Sequence, residues 1–194
     1  MFAQHFARKG IAVDAVDLRV PTLETLALST MIDTACAAIG SARDRAILIG
    51  SSLGALTAAH AAARDARVCA LVLLAPAFGL SARWRARLGV EGERQWQETG
   101  WLPMDDPEGP PRLHYGYMLD ADAVEAAHGA APDVRVPTLL IHGRADDVVP
   151  VDGSRAWADG KRHVRMVEVD DGHPLYGSLD RVCTEMDAFL HLQD

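Results

Sequence analysis

A chain of 194 residues that is 49% hydrophobic, 24% charged and only 6% aromatic has the make-up of one globular domain, residues 1–194, with enough apolar side chains for a single core. A formal net charge of −8 argues against nucleic acid or an anionic membrane surface as the main partner, because both need a basic footprint. Three cysteines, Cys36, Cys69 and Cys183, are odd in number, far apart and without a CxxC pair, which disfavours a disulfide framework or a structural zinc site and fits reduced thiols in the cytoplasm.

The first nine residues lack the apolar core of a signal peptide, and no apolar run reaches the roughly 18 residues of a membrane span. Phe2 and Phe6, at i, i+4 spacing, open a helix that ends at Gly10, and residues 11–18 then read as a strand. After Pro21 and Thr22, a second helix anchored by Leu23, Leu26, Met31 and Ile32 runs to Gly40. Residues 46–49 form a short apolar strand, 53–64 an alanine-rich helix and 68–74 another apolar strand. From 81 to about 131 the rhythm breaks. Trp84, Trp96, Trp101, Tyr115 and Tyr117 are scattered among arginines and turn signals at Pro103, Pro107, Gly109, Pro110 and Pro111, which predicts a lid-like insertion over the sheet. Alternation resumes with a strand at 138–141, a helix around 154–158, a strand at 164–169 and a closing helix near 179–190 that puts Val182, Met186 and Phe189 on one face. The pattern predicts an α/β fold with a mainly parallel sheet and helices on both faces.

The chemistry concentrates at Gly50-Ser51-Ser52-Leu53-Gly54, where a strand ends and a helix begins. Such a turn strains the central residue, and glycines two positions either side let neighbouring chain pass. Ser52 Oγ would stand exposed above the sheet, with the Leu53 N–H at the helix N-terminus ready to donate to an oxyanion. The plainer role for Ser52 is a helix N-cap. A nucleophilic serine needs a base oriented by a carboxylate. Loops that follow parallel strands share one sheet edge, so Asp146, after the 138–141 strand, and His173, after the 164–169 strand, can meet Ser52 there. Asp146 is the expected orienting acid, with Asp147 the alternative, and His173 the expected general base. His60 and His142 read as packed or hydrogen-bonded side chains, and His114 and His128 as solvated loop residues. Arg83, Arg85 and Arg87 alternate with Trp84; a solvated charged face is the first reading and a contact to an anionic substrate the second. The aromatic residues of the insertion either form an acyl-binding lid or pack the insertion onto the body.

Residues 50–54, 143–150 and 170–173 together resemble the three catalytic segments of the α/β-hydrolase family, and Ser178-Leu179-Asp180-Arg181 is similar to the YqiA-like small bacterial esterases. The resemblance implies an acyl-enzyme on Ser52 that water hydrolyses, a small-molecule ester or thioester as substrate, and no metal or organic cofactor. A homodimer is compatible with it, and so is a non-catalytic binding role for the same fold. The family pattern begins with a strand ending in a His-Gly loop that supplies a second oxyanion donor and lies between the 11–18 and 46–49 strands. That segment is absent here, so the expectation is a natural protein that extends upstream, or a rearranged sheet with impaired catalysis.

Overall fold

Uninterrupted aliphatic runs make the two central strands of the sheet in the computed structural model, which describes residues 2–41, 45–104 and 112–191. In chain order the elements are α1 (Phe2–Arg8), α2 (Leu28–Ser41), β1 (Ala46–Ser51), α3 (Leu53–Arg64), β2 (Val68–Leu74), α4 (Leu80–Thr99), β3 (Trp101–Pro103), β4 (Arg112–His114), α5 (Gly116–His128), β5 (Thr138–Gly143), α6 (Val151–Ala158), β6 (Val164–Val169) and, after a short 3-10 turn, α7 (Leu179–Leu190). Strands β1, β2, β5 and β6 lie in that order, all parallel, while β3 and β4 form a separate antiparallel pair.

Side chains alternate across a strand, so a strand covered on both faces must be apolar throughout. Leu71 and Leu73 of β2 and Leu140 of β5 pack with Leu28 and Ile32 of α2, Leu56 of α3 and Trp157 of α6 on one face. Val72 and Leu74, with Leu139 and Ile141, meet Phe6 of α1 and Val182 and Met186 of α7 on the other. Each fully buried aliphatic side chain is worth about 1.5–3 kcal/mol, so burial on two faces rather than helix propensity holds these layers. Polar contacts join α1 to α7: His5 Nε2 lies 2.8 Å, and Lys9 Nζ 3.4 Å, from the Asp187 carboxylate. No helix among the described residues is long and apolar enough to cross a membrane.

Two sequence expectations are corrected. Residues 11–18 form no strand, although their pattern alternates. A strand exists only if a neighbouring edge takes up its backbone hydrogen bonds, and here Val13 and Val16 stay 41% and 42% exposed with no ladder partner among the described residues. The free edge of β1, where Ile47 is 47% exposed, carries no further strand among them either. The second helix begins at Leu28 rather than Leu23; Leu23 and Leu26 close a turn before it and still pack on the core. The turn signals at Pro107, Gly109, Pro110 and Pro111 lie outside the described residues.

The small side chains of α3 let it lie flat against β1, β2 and α2, and His60 on the same helix is 1% exposed, with Nε2 unpartnered among the described residues. Burial, reinforced by the positive fields of Arg64 and His128, lowers its pKa from 6.5 to about 4. A neutral native His60 that takes up a proton at the ordinary value once unfolded makes stability fall as pH drops from 6.5 towards 4. Urea titrations at neutral pH and near pH 5 should show the native protein losing about 2 kcal/mol more than a His60→Gln variant.

Candidate active site

Ser52 sits at φ 53° and ψ −118°, a conformation that side-chain-bearing residues avoid. Four backbone hydrogen bonds impose it: the Ser52 N–H donates to Leu74 O (2.8 Å), and Ser52 O accepts from the N–H groups of Ala55 (3.0 Å), Leu56 (3.1 Å) and Ala77 (3.1 Å). The hydroxyl makes no cap bond to α3, so its position is not explained by helix capping. Leu53 opens α3, and a first-turn N–H has no acceptor within its own helix.

The two flanking glycines are not equivalent. A Cβ on Gly50 would stand 2.3 Å from the carbonyl oxygen of Gly54, whereas a Cβ on Gly54 would meet nothing within 4 Å. Gly50→Ala must therefore push the strand away from the helix and is expected to destabilise the fold by about 3 kcal/mol or more. Gly54→Ala should gain about 0.5–1 kcal/mol from helix propensity. Thermal melts of the two single variants test this asymmetry.

A second close approach brings Asp146 and His173 together. A Cβ on Gly143, the last residue of β5, would lie 2.3 Å from Asp171 O and 2.7 Å from Gly172 O, so the loop after β6 lies directly on the end of β5. The N–H groups of Arg144 and Ala145 donate to Val169 O (2.8 Å) and Asp171 O (3.0 Å), which interlocks the two loops. Their side chains converge: His173 Nδ1 is 2.7 Å from Asp146 Oδ2, and His173 Nε2 is 2.9 Å from Ser52 Oγ. With Nδ1 against a carboxylate, the proton resides on Nδ1 and leaves Nε2 free to accept from the hydroxyl. Asp147 is exposed and takes no part in this contact.

Asp146 has a fully enclosed side chain. The Val148 and Val149 N–H groups donate to Oδ1 at 2.9 and 2.7 Å, while His173 and His142 both face Oδ2, His142 Nε2 at 3.1 Å. Burial alone would raise its pKa, but the hydrogen bonds from Val149, His173 and Val148 outweigh it and hold the carboxyl below the usual range.

His142, expected from the sequence to be packed or hydrogen-bonded, is both, and it touches Asp146 itself. It is wholly buried, and Nε2 also lies 2.8 Å from Val149 O, so two acceptors fix the proton on Nε2; Nδ1 then accepts from Ser154 Oγ at 2.8 Å. The polar chain thus runs from Ser154 through His142 and Asp146 to His173 and Ser52. A histidine one position before Gly143, at the buried end of a strand that leads to an acid, was the available signal. His60 is buried on α3, and His114 and His128 are exposed.

Above Ser52 lies a cavity of about 200 Å³ bordered by Leu53, Leu80, Trp84, Tyr117 and Val148. The aromatic residues also pack on one another: Trp84 lies 5.6 Å from Trp96 and 6.3 Å from Tyr117 between ring centroids, and the buried Trp96 donates its indole N–H to Leu113 O at 2.9 Å.

Residues 1–191 match the uncharacterised protein family UPF0227. Among curated proteins, bovine palmitoyl-protein thioesterase ABHD10, mitochondrial, is 37% identical over 118 residues, a stretch that is 58% of this chain and 38% of that protein. The rat protein of the same name is 32% identical over 162 residues, 75% of this chain and 54% of that one. The chain thus spans only 38–54% of the length of these relatives. Among solved structures, mouse alpha/beta hydrolase domain-containing protein 10 superposes with a TM-score of 0.68 at 26% identity, covering 86% of this chain and 71% of that one. A putative hydrolase from Agrobacterium vitis S4 gives 0.70 at 24% identity, covering 84% and 68%. The four parallel strands, the turn at Ser52 and these likenesses lead to one conclusion: the chain has the α/β-hydrolase fold and belongs to family UPF0227.

Proposed function

We propose that the protein is a serine hydrolase of carboxylic esters or thioesters, with Ser52 as nucleophile, His173 as general base and Asp146 as the orienting acid. The observation that carries this reading is the continuous contact from Ser52 Oγ to His173 Nε2 at 2.9 Å and from His173 Nδ1 to Asp146 Oδ2 at 2.7 Å. His173 takes the hydroxyl proton as Oγ attacks the substrate carbonyl, and the Leu53 N–H donates to the oxyanion that forms. The same imidazole then protonates the departing alcohol or thiol, leaving an acyl-serine. A water molecule, deprotonated by His173, attacks that acyl group and releases the acid, while Asp146 stays ionised throughout.

The α4 to α5 segment, Leu80 to His128, serves in this reading as a lid that supplies one wall of the acyl pocket. A cavity of about 200 Å³ lies below the roughly 300 Å³ at which ligand pockets begin, which favours short acyl groups over the palmitoyl group in the relatives' name. Three cysteines outside any disulfide fit a reducing compartment such as the cytoplasm. The decisive experiment treats the protein with an uncharged fluorophosphonate and maps the adduct by peptide mass spectrometry, alongside turnover of acetyl, butyryl and palmitoyl 4-nitrophenyl esters and thioesters. Adduct on Ser52 with butyrate turned over fastest is the expected result. An unmodified Ser52 together with no turnover overturns the proposal and favours a binding role.

A further inference from the structure

The arginines of the α4 to α5 segment divide into two groups. Arg85 is saturated, its Nε bonded to Glu93 at 2.9 Å and its two terminal nitrogens to Asp122 at 2.9 and 2.6 Å. Arg94 is paired with Glu91 and Glu98, and Arg112 with Glu24, each at 2.5 Å. Arg83 is the exception: its Nε and Nη1 are closed off from solvent and have no hydrogen-bond partner among the described residues. The first reading of this run as a solvated face therefore fails at Arg83.

Helical spacing explains the division. Leu80, Arg83, Trp84 and Arg87 stand at i, i+3, i+4 and i+7 on α4 and all border the cavity over Ser52, whereas Arg85 points away to its two carboxylates. Among the described residues no carboxylate borders that cavity. The acids whose charge reaches Arg83 are otherwise engaged, Asp146 by its four donors and Glu125 by the Ser81 N–H at 3.3 Å. A guanidinium cannot shed its proton, so a half-buried one with two unpaired nitrogens is costly until an anion meets it.

We propose that Arg83, with Arg87 beside it, is an anion subsite, and that the ester or thioester hydrolysed at Ser52 carries a carboxylate or phosphate close to its scissile carbonyl. The inference rests on the serine-hydrolase reading and names its substrate class. The unpartnered donors of Arg83 can pair with either anion, and Leu80 and Trp84 supply an apolar wall for the short linker. In a protein of net charge −8 the long-range field repels anions, so the preference must come from this short-range contact.

Two matched pairs of substrates test the subsite, one for each side of the scissile bond. The mono-4-nitrophenyl ester of glutaric acid is compared with 4-nitrophenyl pentanoate, and S-butyryl-3-mercaptopropionate with S-butyl thiobutyrate. In at least one pair the anionic member should have the higher kcat/KM by about ten- to a hundred-fold. This preference should survive high salt, because a buried pair is screened little. Arg83→Gln should reduce the ratio to about one, and Arg83→Lys should keep part of it. A melting temperature for Arg83→Gln at or above that of the native protein shows that the charge, not the fold, was lost. Equal or reversed preference in both pairs, or a ratio that persists in Arg83→Gln, overturns the proposal while uncharged fluorophosphonate labelling of Ser52 upholds the hydrolase. No labelling and no turnover overturns both.

Discussion

Ser52→Ala is expected to abolish fluorophosphonate labelling and to lower kcat by about 10⁴–10⁶, with little change in the melting temperature. Under the proposed function the loss is large because Ser52, His173 and Asp146 act as one unit. Stability should move little because the hydroxyl's one partner among the described residues is His173 Nε2, and the four backbone bonds that fix the turn do not involve the side chain. The backbone angle adds a second arm. At φ 53° a Cβ is strained and glycine is not, so Ser52→Gly should be inactive and yet about 1 kcal/mol more stable than Ser52→Ala. Stability recovered by removing a reactive side chain marks strain held for function. A Ser52→Ala protein that still takes the label would move the nucleophile elsewhere.

Asp146→Asn should cost nearly as much, about 10⁴ in kcat, and should also lower stability. Four donors converge on the carboxylate: the Val148 and Val149 N–H groups on Oδ1, and His142 and His173 on Oδ2. An amide accepts at one oxygen only. If that oxygen faces the two backbone N–H groups, the NH₂ confronts both imidazoles and forces His173 to carry its proton on Nε2, where it can no longer accept from Ser52. If the amide turns round, two buried backbone donors lose their acceptor, at about 1–3 kcal/mol each. The pH dependence carries the same signature. With its folded pKa below the ordinary value, Asp146 stabilises the native state fully above the unfolded carboxyl range and loses that contribution as pH falls through the folded value. The native protein should therefore lose stability on acidification below about pH 4 more steeply than Asp146→Asn, as read from chemical denaturation at stepped pH.

What the sequence made legible follows from where each signal resides. The strands at 68–74 and 138–141 stand out because burial on both faces demands mostly aliphatic residues, and the turn at Ser52 stands out because Gly50 is dictated by contact with the Gly54 backbone a few residues on. Residues 11–18 misled because pairing is a property of two segments, and alternation in one says nothing of whether an edge waits for it. The sequence favours Asp146 with Asp147 as the alternative, and the fold shows the first enclosed and the second exposed. The sequence reads His142 as packed or hydrogen-bonded and Arg83 as solvated first and anion-facing second, but the partners of each are set by what surrounds it in space. The helical spacing of Arg83 and Arg87 with Leu80 and Trp84 was nevertheless there to be read.

The contact between Ser52 and His173 joins residues 121 positions apart, and it exists only when the loop after β6 lies on the end of β5 beside Gly143. A growing chain that has already made the strained turn at Ser52 still has no base within reach of it. Under the proposed function reactivity therefore arrives with β6: until that strand and the loop after it are in place, Ser52 has no base to take its proton.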